Sequence, residues 1–269
     1  MLSIVILASY LAAALWLMAG AQPANVATAR GRRIAGVVLA VLGLVAHAMA
    51  LWQGIAAKPG FAWTVTETAS AIGLGIAAIA TIAVFLKPTF AGTSAVLLIL
   101  AGVVGAATNE GARTFVTANS GWELNVHIAL SVLAYTLLTV GAALAIVLTL
   151  LDHRLRRRQP LGALSVFPSV EALESWMFRA LGASFAVLSL ALFSGFFFVE
   201  DLRAQNLSRK AALSLMAWIC LGILLIGRWR FGWRGRKALY WTLSSFALLA
   251  LAYFGSKVVL EWILGRHWG

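Results

Sequence analysis

The four histidines, His47, His127, His153 and His267, are the side chains of this sequence best able to carry chemistry. A neutral imidazole can exchange hydrogen bonds, move a proton or bind a metal ion. The single cysteine, Cys220, excludes an intrachain disulfide and any CxxC motif. The chain also lacks the GxSxG, Walker and HExxH patterns, so the sequence indicates no particular enzymatic reaction.

His47 and His153 have different sequence surroundings. His153 follows Asp152 and begins an arginine-rich run, which is typical of a solvated charged surface. His47 instead lies within the apolar stretch 44–49. Two interpretations of His47 stay open, since it could be hydrogen-bonded to a neighbouring helix or could be an axial ligand of a buried haem iron.

The composition places these histidines in a membrane protein. Of the 269 residues, 62% are hydrophobic and 11% are charged, and the mean hydropathy is +0.92. Soluble domains carry about 25% charged residues, and a helix needs about 20 mostly apolar residues to cross a bilayer. We also expect a short amphipathic surface helix over 169–176, with Ser169 as its N-cap. The predicted fold is all-α, a polytopic membrane helix bundle of eight transmembrane helices over 2–20, 34–53, 66–86, 91–108, 124–151, 179–199, 211–227 and 239–262.

The basic residues predict the orientation of this bundle. Fourteen of the 21 Lys and Arg residues follow odd-numbered spans, and six follow even-numbered spans. Basic loops usually face the cytoplasm, so both termini are predicted to lie outside, in the periplasm of a bacterial inner membrane. The net charge of +12 is divided among short clusters between apolar runs, so we expect no binding to nucleic acid.

This topology brings His127, at the start of span five, and His267, after span eight, to the same outer side of the membrane. Two neutral imidazoles can hold one haem iron from opposite sides, and a nearby cation can pair with a propionate. Other interpretations stay open, because His127 could cap a helix, His267 could be merely exposed, and Lys257 could pair with Glu261. The basic residues available for the propionates are Arg113, Arg266 and Lys257.

Several stretches of the chain resemble CcsA-type cytochrome c assembly proteins, including the HemX-like proteins and the YpjD-type inner membrane branch. The segment 232–238, GWRGRKA, resembles the family's GWRGK/R turn before its last helix. The stretch 252–255, AYFG, and the terminal stretch 264–269, LGRHWG, resemble the family's C-terminal end. The stretch 127–135, HIALSVLAY, resembles the other haem-handling helix of that family. The resemblance covers nearly the whole chain in helix order.

The resemblance implies a single cytochrome c assembly-like transmembrane domain over 1–269, in a multi-pass protein of the bacterial inner (plasma) membrane. It implies haem binding or haem transport for cytochrome c-type biogenesis. The partners would be haem, the lipid bilayer and other cytochrome c assembly proteins. His127 and His267 match the residues that would hold an outer haem b as axial ligands, and His47 is a candidate for a buried site.

Two departures from the family pattern leave a second interpretation open. The outer loop 200–210 has no tryptophan, whereas haem-delivering members carry a tryptophan-rich WWD loop there. No histidine stands shortly before the GWRG turn, where a second membrane-embedded histidine is expected. The alternative is therefore a haem-independent membrane scaffold or regulatory subunit that retains the fold.

Overall fold

The computed structural model describes residues 2–21, 26–56, 65–106, 122–198 and 207–255, and these ranges contain helices and no strand. The prediction of an all-α fold is confirmed for this part of the chain. A 3₁₀ turn at Pro88–Phe90, another at Gly162–Val166 and a π-helical segment at Leu251–Gly255 accompany the α-helices. The α-helices are α1 (Leu2–Ala21), α2 (Val26–Ala56), α3 (Val65–Leu86), α4 (Ala91–Ala106), α5 (Trp122–Arg156), α6 (Val170–Phe198), α7 (Leu207–Phe231) and α8 (Arg236–Ala250).

Seven helices of the described chain, α1 to α7, are long and apolar enough to cross a membrane. In the fourth of these spans, α4 is extended by the 3₁₀ turn that precedes it. Each helix overlaps the corresponding one of the first seven predicted spans, and α2, α5 and α7 extend beyond both ends of theirs. The described part of α8 has 15 residues and continues into the π-helical segment. The end of the eighth predicted span, 239–262, lies outside the described residues. A polytopic membrane protein is thus confirmed, and the orientation of its termini stays a prediction.

The start of α6 corrects one prediction. Ser169 is the N-cap, because its Oγ accepts a hydrogen bond from the backbone N–H of Ala172 at 3.3 Å. The helix that it caps is α6 itself, which runs unbroken from Val170 to Phe198. No proline or glycine stands between Val170 and Leu181, so nothing ends the helix before the apolar stretch. The separate surface helix predicted over 169–176 does not exist.

The described chain forms two compact units. The first unit contains α1 to α4 and residues 150–174, and the second contains residues 122–149 of α5, residues 175–198 of α6, α7 and α8. In the first unit, α1 packs on α2 and α4, and α3 packs on the same two helices. Gly43 of α2 allows α1 and α2 to approach closely, because a methyl group at this position would lie 2.8 Å from Cε1 of Tyr10 on α1.

In the second unit, α5 and α6 pack antiparallel. The Ser184 hydroxyl of α6 donates a hydrogen bond to the Ala134 carbonyl of α5 at 3.0 Å, and it is fully buried. Gly141 of α5 lies against the side chain of Leu181. Helix α7 packs on α8, and a short turn joins the two helices. These contacts fix the helices on which His127 and its neighbours lie.

Candidate functional site

His47 lies on α2 in the first unit and has no exposed surface. Its Nδ1 atom lies 3.2 Å from the Tyr10 hydroxyl of α1, and its Nε2 atom lies 2.8 Å from Ser70 Oγ of α3. A neutral imidazole has one donor and one acceptor nitrogen, so these two hydroxyls use both. This geometry agrees with the first of the two interpretations of His47, a histidine hydrogen-bonded to neighbouring helices.

The backbone of α4 closes the same pocket around His47. A methyl group on Gly105 would lie 2.7 Å from Cε1 of the His47 ring and 3.1 Å from Nε2. A methyl group on Gly73 of α3 would lie 3.5 Å from Cε1. Ligation of a haem iron by His47 would therefore require the loss of one hydrogen bond and the separation of α4 from the ring.

His127 lies on α5 in the second unit and is half-buried. Its Nδ1 atom lies 3.0 Å from Ser194 Oγ of α6. The Ser194 hydroxyl in turn donates a hydrogen bond to the Ala191 carbonyl, one turn earlier on α6, at 2.8 Å. His127 is past the first turn of α5, which begins at Trp122, and its ring bonds to another helix. His127 therefore does not act as a cap of α5.

Besides Ser194, the described partner of the His127 ring is the Ala191 backbone, and no hydrogen bond within the described ranges is assigned to the second nitrogen, Nε2. Gly195 of α6 lies beside the ring, and a methyl group there would lie 3.0 Å from Cε1 and 3.8 Å from Nε2. A metal-binding histidine donates one ring N–H to a protein or water acceptor and offers its other nitrogen to the metal, and the contact of Nδ1 with Ser194 is compatible with that arrangement. The residues at His127 thus fit the role of one axial haem ligand.

The remaining histidine of the described chain is His153, which the sequence predicts on a solvated charged surface. His153 is exposed at the far end of α5, near the ion pair of Arg156 with Asp152 at 2.7 Å. Within the described ranges, no group of three or more His, Cys, Asp or Glu side chains is placed to hold a metal ion. Four predicted site residues lie outside the described residues: His267, Arg266, Lys257 and Arg113.

The GWRG stretch is the turn between α7 and α8. Gly232 (φ 63°) and Gly235 (φ 58°) adopt left-handed backbone conformations that favour glycine. The Gly232 N–H donates to the Arg228 carbonyl at 3.1 Å, which closes the end of α7. Between the two glycines, Trp233 packs its ring against Gly227 of α7 and stacks on Trp241 of α8, with 6.0 Å between ring centroids. The geometry assigns this stretch a structural role.

Tyr135, at the end of the stretch 127–135, connects two helices. Its hydroxyl donates a hydrogen bond to the Leu249 carbonyl of α8, and its ring meets Tyr253 edge-on with 5.8 Å between centroids. Tyr253 lies in the π-helical segment that follows α8. The helix that carries His127 is thus tied directly to the end of α8.

Sequence reasoning missed the hydroxyl partners of the histidines, which are Tyr10, Ser70 and Ser194. A hydroxyl within an apolar span is a weak signal for a cross-helix hydrogen bond. The signal is not specific, because Ser and Thr in helices also bond their own backbone, as Thr139 does to the Tyr135 carbonyl at 2.7 Å. Only the packing of α5 on α6 and of α2 on α1 and α3 identifies these three residues.

The chain belongs to the cytochrome c assembly family, because the family model described as "Cytochrome C assembly protein" matches residues 35–264. It is similar to the inner membrane protein YpjD of Escherichia coli strain K12, with 30% identity over 241 residues, 87% of this chain and 89% of that protein. The YpjD protein of Escherichia coli O157:H7 shows the same identity and coverage.

An uncharacterised 28.8 kDa protein in the nifR3-like 5' region of Azospirillum brasilense is 34% identical over 147 residues, which cover 54% of each chain. No solved structure matches the chain. The predicted family and branch are confirmed, as is a multi-pass protein of the bacterial inner membrane. Membership of this family supports a haem-related role in cytochrome c biogenesis.

Proposed function

We propose that this protein binds haem b at the outer face of the membrane and handles it for cytochrome c biogenesis, with His127 and His267 as axial ligands. The observation that carries the proposal is the state of the His127 ring, whose Nδ1 atom contacts Ser194 while no hydrogen bond within the described chain is assigned to Nε2. When bound, haem supplies an iron that accepts two axial imidazole nitrogens.

The roles of the other residues in this proposal follow from position and charge. The tie between Tyr135 and the Leu249 carbonyl supports the pairing, because it joins the helix of His127 to the helix that precedes His267 in sequence. The distribution of basic residues supports an outer location. The residues proposed to neutralise the haem propionates are Arg113, Arg266 and Lys257.

The second candidate is a haem-independent scaffold or regulatory subunit. The observation that favours it is the His47 pocket, where protein hydroxyls take both ring nitrogens and the histidine serves packing. The absence of tryptophan from residues 200–210 points the same way. In this candidate the Ser194 contact of His127 is also structural, so the two candidates differ in whether His127 carries iron.

The test is the absorption spectrum of the full chain, purified in detergent and titrated with haem, for wild type and an alanine variant of each of the four histidines. His127→Ala and His267→Ala should each lose or shift the Soret band. His153→Ala is the matched control, because it removes an exposed histidine at the other end of the same helix, and it should leave the spectrum unchanged.

Two outcomes would overturn this proposal. A wild-type protein that purifies without haem and cannot be reconstituted would leave the scaffold as the function. A haem that stays in His127→Ala and His267→Ala but is lost in His47→Ala would move the site to α2. The second outcome would also require the first unit to open around His47.

A further inference from the structure

The two hydrogen-bond contacts of Ser194 depend on the tautomer of His127. A serine hydroxyl carries one proton and two acceptor lone pairs. The Ser194 proton is donated to the Ala191 carbonyl at 2.8 Å, and a carbonyl can only accept. The single Ser194 proton could instead be donated to His127 Nδ1, which lies 3.0 Å from Ser194 Oγ, so both contacts are hydrogen bonds at the same time only if Nδ1 carries a proton and donates it. Both contacts are satisfied in one tautomer of His127 and not in the other.

The same helix contains an arrangement whose direction is unambiguous. Trp218 of α7 donates its indole N–H to Ser189 Oγ at 2.8 Å, and an indole N–H can only donate. The Ser189 hydroxyl donates to the Phe185 carbonyl of its own helix, also at 2.8 Å. Helix α6 thus uses a serine, anchored to its own backbone, to accept an N–H from a ring on a neighbouring helix.

We propose that Ser194 is a positioning residue that holds His127 in the Nδ1–H tautomer and so presents the unprotonated Nε2 atom to a metal. The inference deepens the proposed function and rests on it for the identity of the metal, the haem iron. Iron binds a neutral histidine through the ring nitrogen that carries no proton, because that nitrogen has a free lone pair. Ser194 would determine which of the two nitrogens offers that lone pair.

Gly195 makes this arrangement possible. A methyl group on Gly195 would lie 3.0 Å from Cε1 and 3.4 Å from Nδ1 of His127. A side chain at this position would push the ring away from α6 and lengthen the bond to Ser194. The sequence Ser194-Gly195 therefore combines the acceptor for Nδ1–H with the space that lets the ring reach it.

The first test measures the tautomer in the haem-free protein. The full chain is labelled with ¹⁵N-histidine, reconstituted in lipid nanodiscs and studied by solid-state NMR, in which protonated and unprotonated ring nitrogens resonate far apart. With four histidines in the chain, a His127→Gln variant identifies the two His127 signals. Wild type should show Nδ1 protonated and Nε2 unprotonated. Ser194→Ala should lose this preference.

Two variants make this test specific. Ser189→Ala is the matched control, because it removes the other ring-accepting serine of α6 and should leave the His127 signals unchanged. Ser194→Thr keeps a hydroxyl that can donate to the backbone one turn earlier, and it should restore the Nδ1–H signal. A wild-type protein with Nε2 protonated, or a Ser194→Ala protein that keeps the wild-type pattern, would overturn the inference.

The second test adds haem and separates this inference from the proposed function. Loss of a hydrogen bond to a metal-binding histidine typically lowers metal affinity about 10- to 100-fold. We expect that loss of haem affinity in Ser194→Ala, and not in Ser189→Ala. If haem binding is insensitive to His127→Ala, the proposed function fails while the tautomer result still stands. If His127→Ala abolishes binding and Ser194→Ala has wild-type affinity, Ser194 is not a positioning residue.

Discussion

His47 in the first unit and His127 in the second unit are built from the same parts. Each ring contacts a serine hydroxyl on a neighbouring helix and lies against a glycine of a packed helix. They differ in the number of ring nitrogens with an assigned hydrogen bond and in exposure. His47 is completely enclosed and uses both nitrogens, whereas His127 is half-buried and has one assigned within the described chain.

This difference shows what separates a structural histidine from a candidate ligand in an apolar span. A buried imidazole without partners costs free energy, so a pocket that stays closed must supply both a donor and an acceptor. The Tyr10 hydroxyl completes the pocket of His47. At His127 the described hydrogen-bond contact of Nδ1 is the Ser194 hydroxyl, and Nε2 is the nitrogen that we propose binds iron.

The largest expected effect is on stability and distinguishes His47→Ala from His127→Ala. The first substitution leaves the buried Tyr10 and Ser70 hydroxyls without their shared partner, and each such loss costs about 1–3 kcal/mol. We expect His47→Ala to lower the free energy of unfolding by about 3 kcal/mol. His127→Ala, at a half-buried ring with one contact, should lower it by about 1 kcal/mol or less.

Unfolding of haem-free protein in mixed detergent micelles, followed by tryptophan fluorescence, measures both values. Haem-free protein keeps ligand binding out of the comparison, since a bound ligand would itself stabilise the fold. Equal losses for the two variants would show that the enclosure of His47 adds no stability. In that case the two sites would not differ in the way that the geometry indicates.

The second expected effect compares the glycines beside the two rings. An added methyl at Gly105 would lie 2.7 Å from a ring that cannot move, and overpacking of this kind costs about 1–3 kcal/mol. At Gly195 the corresponding distance is 3.0 Å, and the half-buried His127 ring can shift. Ala also stabilises a helix by about 0.5–1 kcal/mol relative to Gly.

Gly105→Ala should therefore destabilise the protein by about 1–2 kcal/mol, whereas Gly195→Ala should leave stability within about 0.5 kcal/mol of wild type. The same unfolding measurement gives both numbers. Gly195→Ala should still disturb the orientation of His127 and so alter the haem spectrum. A Gly195→Ala protein with lower stability than Gly105→Ala would mean that the ring of His127 is the more rigid of the two.

The sequence predicts the helices much better than it predicts the two histidine sites. Long apolar runs locate α1 to α7, because a bilayer demands about 20 such residues from any crossing helix. The same sequence leaves His47 with two interpretations. The choice between them depends on Tyr10 and Ser70, which are 37 and 23 residues away in sequence.

The start of α6 shows why local signals also fail at some boundaries. Ser169 was identifiable as an N-cap, since capping is a local interaction. The amphipathic pattern over 169–176 predicts a separate surface helix, but the helix continues because no proline or glycine interrupts it before Gly182. Ser194 had no local signal at all, because only the antiparallel register of α5 and α6 brings it to His127.

The smallest expected effect is a coupling within the His47 pocket. Tyr10 and Ser70 bond opposite nitrogens of one ring, so removal of either hydroxyl frees His47 to adopt the tautomer that suits the other. The losses from Tyr10→Phe and Ser70→Ala, each about 0.6 kcal/mol in a membrane, should therefore not add. We expect a double-mutant coupling of about 0.5 kcal/mol, measured by unfolding in mixed micelles and absent when His47 is also replaced by alanine.

The matched pair for this cycle is Ser189→Ala with Ser194→Ala. Both serines lie on α6, but they bond to different rings, Trp218 and His127, so their losses should add within about 0.3–0.5 kcal/mol. Additive losses at Tyr10 and Ser70 would mean that the two hydroxyls do not communicate through His47. The His47 ring would then be held by packing against Gly105. In that case His47 and His127 would differ in burial but not in how their hydrogen bonds act.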